Sequence, residues 1–154
     1  MAKSRKSGNG SGRGPLTFTI NSDFEAGKHR AVQTRILREV EKRGYDAGSV
    51  FAIRLSLEEA LINAMKHGNK LDPRKTVHVE ARVTPKQTEI VIEDQGPGFD
   101  RSSVPDPTKE ENLEKCSGRG ILLMESYMNS VSWSKNGRRV KMVKKNEVDA
   151  HPAH

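Results

Sequence analysis

Apolar residues recur along this chain with two different periods, and each change of period marks an element. Leu16-Thr17-Phe18-Thr19-Ile20 alternates apolar and polar positions, which predicts a first strand. Ser22 with Glu25 three residues on has the spacing of a capping box. It predicts a helix to about Arg43, with Val32, Ile36, Leu37 and Val40 facing the core and Gly44 at its end. A second helix is predicted from about Ala47 to His67, with Ile53, Leu57, Ala60, Leu61 and Ala64 as its core stripe and Gly68 as its stop. Period two returns in TVHVEARV (76–83), a half-buried strand, and again in TEIVIED (88–94) after a turn at Pro85-Lys86-Gln87. Residues 100–117 are polar, with Pro97, Pro105 and Pro107 in or near them, and read as a long loop. Long ordered loops in compact domains are usually functional. A short helix over about Gly120–Tyr127 follows. SVSWSK (130–135), Asn136-Gly137 and RRVKMVKK (138–145) then carry a strong hairpin signal with a type I′ turn.

The order β-α-α-β-β-loop-α-β-β, dominated by hairpins, predicts an α+β fold. Its sheet should be mixed or mostly antiparallel, with the helices on one face. The length of 154 residues suits one domain. A hydrophobic fraction of 33% is low, and part of the deficit is local. Residues 1–14 are rich in Gly and Ser and contain no acid, a composition that cannot bury a core and predicts a disordered basic tail. Lys3, Arg5, Lys6 and Arg13 in that tail supply four of the formal net charge of +7, so the remainder is only mildly basic. The expected organisation is a tail over 1–14, a folded domain over 16–144 and a flexible tail over 145–154. Cys116 is the only cysteine, which fits a reducing compartment. No apolar run follows the basic start, so no signal peptide is expected, and no stretch approaches the length of a membrane helix. His151 and His154 form an H-x-x-H in the expected tail, a spacing read as incidental.

Three stretches carry candidate chemistry. In EEALINAMKHGNK (58–70), an α-helix would place Glu59 and Asn63 about 40° apart and Lys66 about 20° from Glu59. One stripe would then offer a base, a neutral oxygen ligand and a cation. Mg²⁺ bound together with phosphates takes few protein ligands and keeps several waters, so one Asn oxygen suits it. A carboxylate one turn away can orient or deprotonate a nucleophile. In EDQGPGFD (93–100), Asp94 falls at a strand end, where a carboxylate can accept from an exocyclic amine such as that of adenine. Gly96 and Gly98 allow the backbone close to a ligand. In SGRGILLME (117–125), glycines open a helix whose free N–H groups suit phosphate, and Arg119 adds a cation. Each stretch alone also fits an ordinary solvated helix, turn or helix start. In this order and spacing they are far more specific.

Together they resemble the motif boxes of the GHKL ATPase superfamily over about residues 16–144. E-E-A-L-x-N-A-x-K-H-G-N, D-x-G-x-G-F-D and Lys115-Cys116-Ser117-Gly118-Arg119-Gly120-Ile121-Leu122-Leu123-Met124 look most like the anti-sigma-factor serine/threonine kinases of bacterial partner-switching systems. The resemblance implies a Bergerat-type α/β sandwich, ATP with Mg²⁺, and a bacterial cytoplasmic setting. Carried over by position, Glu59 would be the general base and Asn63 the Mg²⁺ ligand. Asp94 would bind the adenine amine, and Gly98 would shape the pocket floor. Gly118, Arg119, Gly120 and Ile121 would hold the phosphates, Lys66 would add a cation to the ATP site, and 100–117 would be a lid. The family's last strand usually carries a Thr after the turn glycine. Arg138 and Arg139 stand here instead, which is expected to weaken the adenine network.

The first function implied is an ATP-dependent protein kinase that phosphorylates a small STAS-type antagonist and also binds a sigma factor or an equivalent regulator. The alternative is a non-catalytic module that binds ATP and a protein partner; Glu59 argues against it, because a pure binder needs no base. A detached sensor-kinase catalytic domain would need a phosphoacceptor helix pair, which the chain lacks before residue 45. Direct nucleic-acid binding is not expected, since no aromatic-rich or recognition-helix pattern accompanies the basic tail. The resemblance leaves a homodimer through the first strand and helix open.

Overall fold

A computed structural model describes residues 14–97 and 118–148. The expected N-terminal tail up to residue 13, the lid over 100–117, Gly98, Cys116 and residues 149–154 lie outside the described residues. The elements in chain order are β1 (Leu16–Asn21), a 3₁₀ turn (Phe24–Ala26), α1 (Lys28–Lys42), α2 (Ala47–Ile62), a π-helical segment (Asn63–Gly68), β2 (Thr76–Val83), β3 (Gln87–Glu93), α3 (Gly118–Tyr127), β4 (Ser130–Ser134), a second 3₁₀ turn (Lys135–Gly137) and β5 (Arg139–Lys145).

The strands form one sheet in the order β1-β2-β3-β5-β4, and every neighbouring pair is antiparallel. The period-two reading explains its two faces. Val77, Val79, Ala81 and Val83 of β2, Ile90 and Ile92 of β3, and Val140 and Met142 of β5 point inward and are buried. The residues between them are polar or only half-buried. Val32, Ile36 and Val40 of α1, Ile53, Leu57 and Leu61 of α2 and Met124 of α3 close over the inner face as one core. All three α2 residues are fully buried. Truncating such a leucine to alanine costs about 2–5 kcal/mol, so this stripe fixes α2 on the sheet.

Two local signals yield to tertiary contacts. Ser22 does not cap a helix: it is buried, and its Oγ accepts from Asn69 Nδ2 at 2.8 Å. The chain makes a 3₁₀ turn instead, and α1 begins after Gly27, whose φ of 72° is left-handed. Asn136 and Gly137 do take the left-handed φ that a type I′ turn needs (58° and 86°). Strand pairing, however, stops at Ser134 and Arg139, so the hairpin loop is four residues long and also carries Lys135 at φ 54°. Lys135 Nζ is tied across to Glu93 at 3.0 Å.

The start of the expected C-terminal tail is held in place. Lys145 belongs to β5, Asn146 N–H donates to Lys86 O at 2.8 Å, and Glu147 N–H donates to Asp46 Oδ1 at 3.0 Å. Asp46 is also the N-cap of α2, accepting from Ser49 N–H at 3.0 Å. One carboxylate therefore joins the start of α2 to the segment after β5. No helix among the described residues is long and apolar enough to cross a membrane.

Candidate functional site

The second helix does not run regularly to His67. At Asn63 the winding changes to π, closed by Asn69 N–H donating to Ala64 O at 2.8 Å. A single π turn inside a helical run commonly marks a functional position. It has a geometric consequence here. A residue in a π segment turns through less than the about 100° of an α-helix, so Lys66 leaves the stripe that regular winding assigns it. Its Nζ lies 4.4 Å from the ring centroid of Phe24, a cation–π contact on the side facing the start of α1. The expected grouping of Glu59, Asn63 and Lys66 on one stripe is corrected to Glu59 and Asn63 alone.

The π segment brings Asn63 to a cleft that is open to solvent. Ala60, Ala64, His67 and Gly68 line it from the helix side, Ile92 from β3, Asp94 from just beyond it, and Trp133, Gly137, Arg138 and Val140 from the last hairpin. Asn63 and Asp94, expected to bind opposite ends of one nucleotide, thus line the same cleft. Both are buried, at 9% and 8% exposure. Asn63 Nδ2 has no hydrogen-bond partner among the described residues. A buried amide nitrogen without a partner costs free energy in the free protein.

Burial raises the Asp94 pKa above the ordinary aspartate value. The hydrogen bond from Gly96 N–H to Oδ1, 2.8 Å, and the charge of Arg138 oppose that shift without reversing it. Backbone closeness here depends on two glycines. A Cβ on Gly68 would overlap the Asp94 carboxylate, and one on Gly96 would overlap the Gly68 carbonyl oxygen. Gly96 therefore lets the loop after β3 pack closely on Gly68. Gly68, which reads in the sequence as a helix stop, is the residue that lets Asp94 enter.

Glu59 lies one turn before Asn63, half-buried, with its carboxylate against the backbone that opens α3. A Cβ on Gly120 would come 2.5 Å from Glu59 Oε1. The start of α3 at Gly118, two residues earlier than expected, keeps all three residues Gly118–Gly120 in its first turn. The side chain of Ile121 is buried in the core, so only its backbone is left for a ligand.

Asn69 is the residue that sequence reasoning passed over. It is fully buried and saturated: Nδ2 donates to Ser22 Oγ (2.8 Å) and Thr76 O (2.9 Å), and Oδ1 accepts from Gln95 N–H (2.7 Å). It ties the end of the π segment to β1, β2 and the loop carrying Asp94 and Gly96. Its signal was a polar residue directly after the glycine of K-H-G-N. Asn69→Ala leaves the buried Ser22 Oγ and two partly buried backbone groups, Thr76 O and Gln95 N–H, without this partner and should cost about 2–3 kcal/mol of stability. A urea titration shifted by less than about 1 kcal/mol would contradict this clamp role.

A family profile described as the histidine kinase-like ATPase domain matches residues 25–144. An anti-sigma F factor from Clostridium perfringens is 31% identical over 101 residues, covering 63% of this chain and 71% of that protein. An anti-sigma F factor from Oceanobacillus iheyensis is 33% identical over 98 residues, covering 60% of this chain and 66% of the relative. A serine-protein kinase RsbW from Bacillus licheniformis is 30% identical over 96 residues, covering 58% and 60%. Among solved structures, the RsbU and RsbW domains of Rv1364c from Mycobacterium tuberculosis align with a TM-score of 0.54 at 17% identity. That alignment covers 86% of this chain and 32% of the solved one, and it supports the fold.

Proposed function

This chain belongs to the histidine kinase-like ATPase domain family, and on that premise we propose that it is an ATP-dependent protein serine/threonine kinase and anti-sigma factor. Its acceptor would be a serine or threonine on a STAS-type antagonist protein, its second partner a sigma factor or an equivalent regulator, and its setting the bacterial cytoplasm. The names of the similar proteins, anti-sigma F factor and serine-protein kinase, support this reading. The observation that carries it is the pair of buried polar side chains, Asn63 and Asp94, facing one cleft, with the Glu59 carboxylate one turn away.

The residues fit ATP and Mg²⁺. Asn63 and Asp94 line one cleft, and the Asn63 amide carries the kind of neutral oxygen that Mg²⁺ accepts. Bound there, ATP with Mg²⁺ would supply the transferable phosphoryl group and neutralise its charge. Asp94 would accept from the exocyclic amine of the base, and Asn63 would offer its amide oxygen to the metal. The Gly118–Gly120 backbone, with Arg119, would receive the phosphates at the positive end of α3. Glu59 would take the proton from the acceptor hydroxyl. Phosphoryl transfer asks mainly for positioning and electrostatics, which this set supplies.

The test is γ-labelled ATP incubated with this protein and a panel of small antagonist proteins. Label on an antagonist serine or threonine is expected. Tight ATP binding with no label on any acceptor would leave a binding module, and label on a histidine of the chain itself would return the sensor-kinase reading.

A further inference from the structure

Arg138 stands where the resemblance leads one to expect a threonine, and the structure puts it on the wall of the cleft. It lines the same space as Asp94 and Asn63. Its main-chain oxygen accepts from Asp94 N–H at 2.9 Å, so the two residues are held in register. Its Nε donates to Lys135 O at 3.1 Å, which folds the side chain back over the Asn136-Gly137 turn. With Nε engaged, both Nη groups lack a hydrogen-bond partner among the described residues. The guanidinium therefore offers donors at the rim of the cleft that the buried Asp94 carboxylate also lines, close enough for its charge to act on that carboxylate.

An acceptor and a donor lining one cleft match the edge of either purine. Adenine presents its exocyclic N–H to a carboxylate and a ring nitrogen to a donor. Guanine presents ring and exocyclic N–H groups to the carboxylate and O6, with N7 behind it, to the donor. Arginine to O6 and N7 of guanine is the commonest specific side-chain contact to a base, because the planar fork spans both acceptors. A threonine in its place has one hydroxyl and cannot span them. We propose that Arg138 is a specificity-determining residue that contacts the base beside Asp94 and opens this site to guanine as well as adenine nucleotides. The proposal rests on the nucleotide-binding reading above and deepens it.

The experiment is calorimetric titration of the full chain with ATP and with GTP, each with Mg²⁺, on the parent, Arg138→Ala and Arg138→Lys. Arg138 lies on an exposed turn, and a thermal melt checks that each variant folds. The parent should bind GTP within about thirtyfold of ATP, and Arg138→Ala should weaken GTP by about tenfold or more, the range of one bidentate base contact. Arg138→Lys keeps the charge and loses the fork, so its GTP affinity should stay nearer to that of Arg138→Ala than to that of the parent. ATP binding with GTP weaker by more than about thirtyfold, or a smaller loss in Arg138→Ala, sinks this inference alone. Full recovery in Arg138→Lys does the same, because it reduces the role to charge. A parent that binds neither nucleotide brings down the nucleotide reading, and this inference with it.

Discussion

Glu59→Ala is expected to keep Mg-ATP binding and to lose phosphoryl transfer by about 10²–10⁴-fold, the usual contribution of a positioned general base. Asn63→Ala is expected to lose both binding and transfer, because it removes the group offered to the metal that bridges the phosphates. The two residues lie one turn apart at the junction of α2 and the π segment, so a packing defect would harm them alike. Their environments point to different outcomes. Glu59 is half-buried against Gly120, whereas Asn63 is buried in the cleft wall with a nitrogen unpartnered among the described residues. Removing that unpaired group should not lower the melting temperature of the free protein. Nucleotide titration and labelled transfer, run on both variants, separate the roles. Parallel losses in the two variants, together with lowered melting temperatures, would mean that they only support the fold.

Asp94→Asn is expected to weaken ATP by at least about tenfold, since a mispaired buried polar group costs about 1–3 kcal/mol. It should do so without cost to the free protein. Burial raises the Asp94 pKa, so the folded state holds its proton more readily than the unfolded chain. The sign comes from linkage: the favourable contribution is present below the ordinary aspartate value of about 3.9 and is lost as pH rises through the higher folded value. Near neutral pH the ionised Asp94 is a burden to the free protein, and the variant should melt at the same temperature as the parent or above it. Nucleotide affinity runs the other way. The carboxylate must be ionised to accept from the amine, so parent affinity should fall as pH drops through the raised pKa, and that fall should be absent in Asp94→Asn. An unchanged ATP affinity in the variant would remove Asp94 from the base pocket.

The strands and the buried face of α2 were legible because they obey local rules. Alternation in TVHVEARV reports one wet and one dry face whatever the strand pairs with, and Ile53, Leu57 and Leu61 repeat at helical spacing. The candidate residues Glu59, Asn63 and Asp94 were legible from their spacing with the glycines. The features that escaped depend on distant partners. Ser22 reads as a cap only until Asn69, 47 residues away, claims its hydroxyl. Lys66 reads as a site cation only while the helix is taken as regular. Gly68 reads as a stop because the carboxylate it admits comes from another element. Sheet order had no local signature either, since β5 sits between β3 and β4 and comes after both in the chain.

The π segment absorbs an extra residue locally. It carries one more residue in its turn than an α-helix would, so the positions inside it sit out of phase with the helix before it. Removing any single residue between Asn63 and Gly68 would let the backbone wind regularly, with better hydrogen-bond geometry than it has now. Because a π turn holds one residue more than an α turn, the shortened segment would leave the residues after it in nearly their present phase. Gly68 would keep its place beside Asp94, and Asn69 beside Ser22. The extra residue therefore moves only the positions inside the turn, as the turned-away Lys66 shows, and the ends that the site depends on stay where a regular helix would put them.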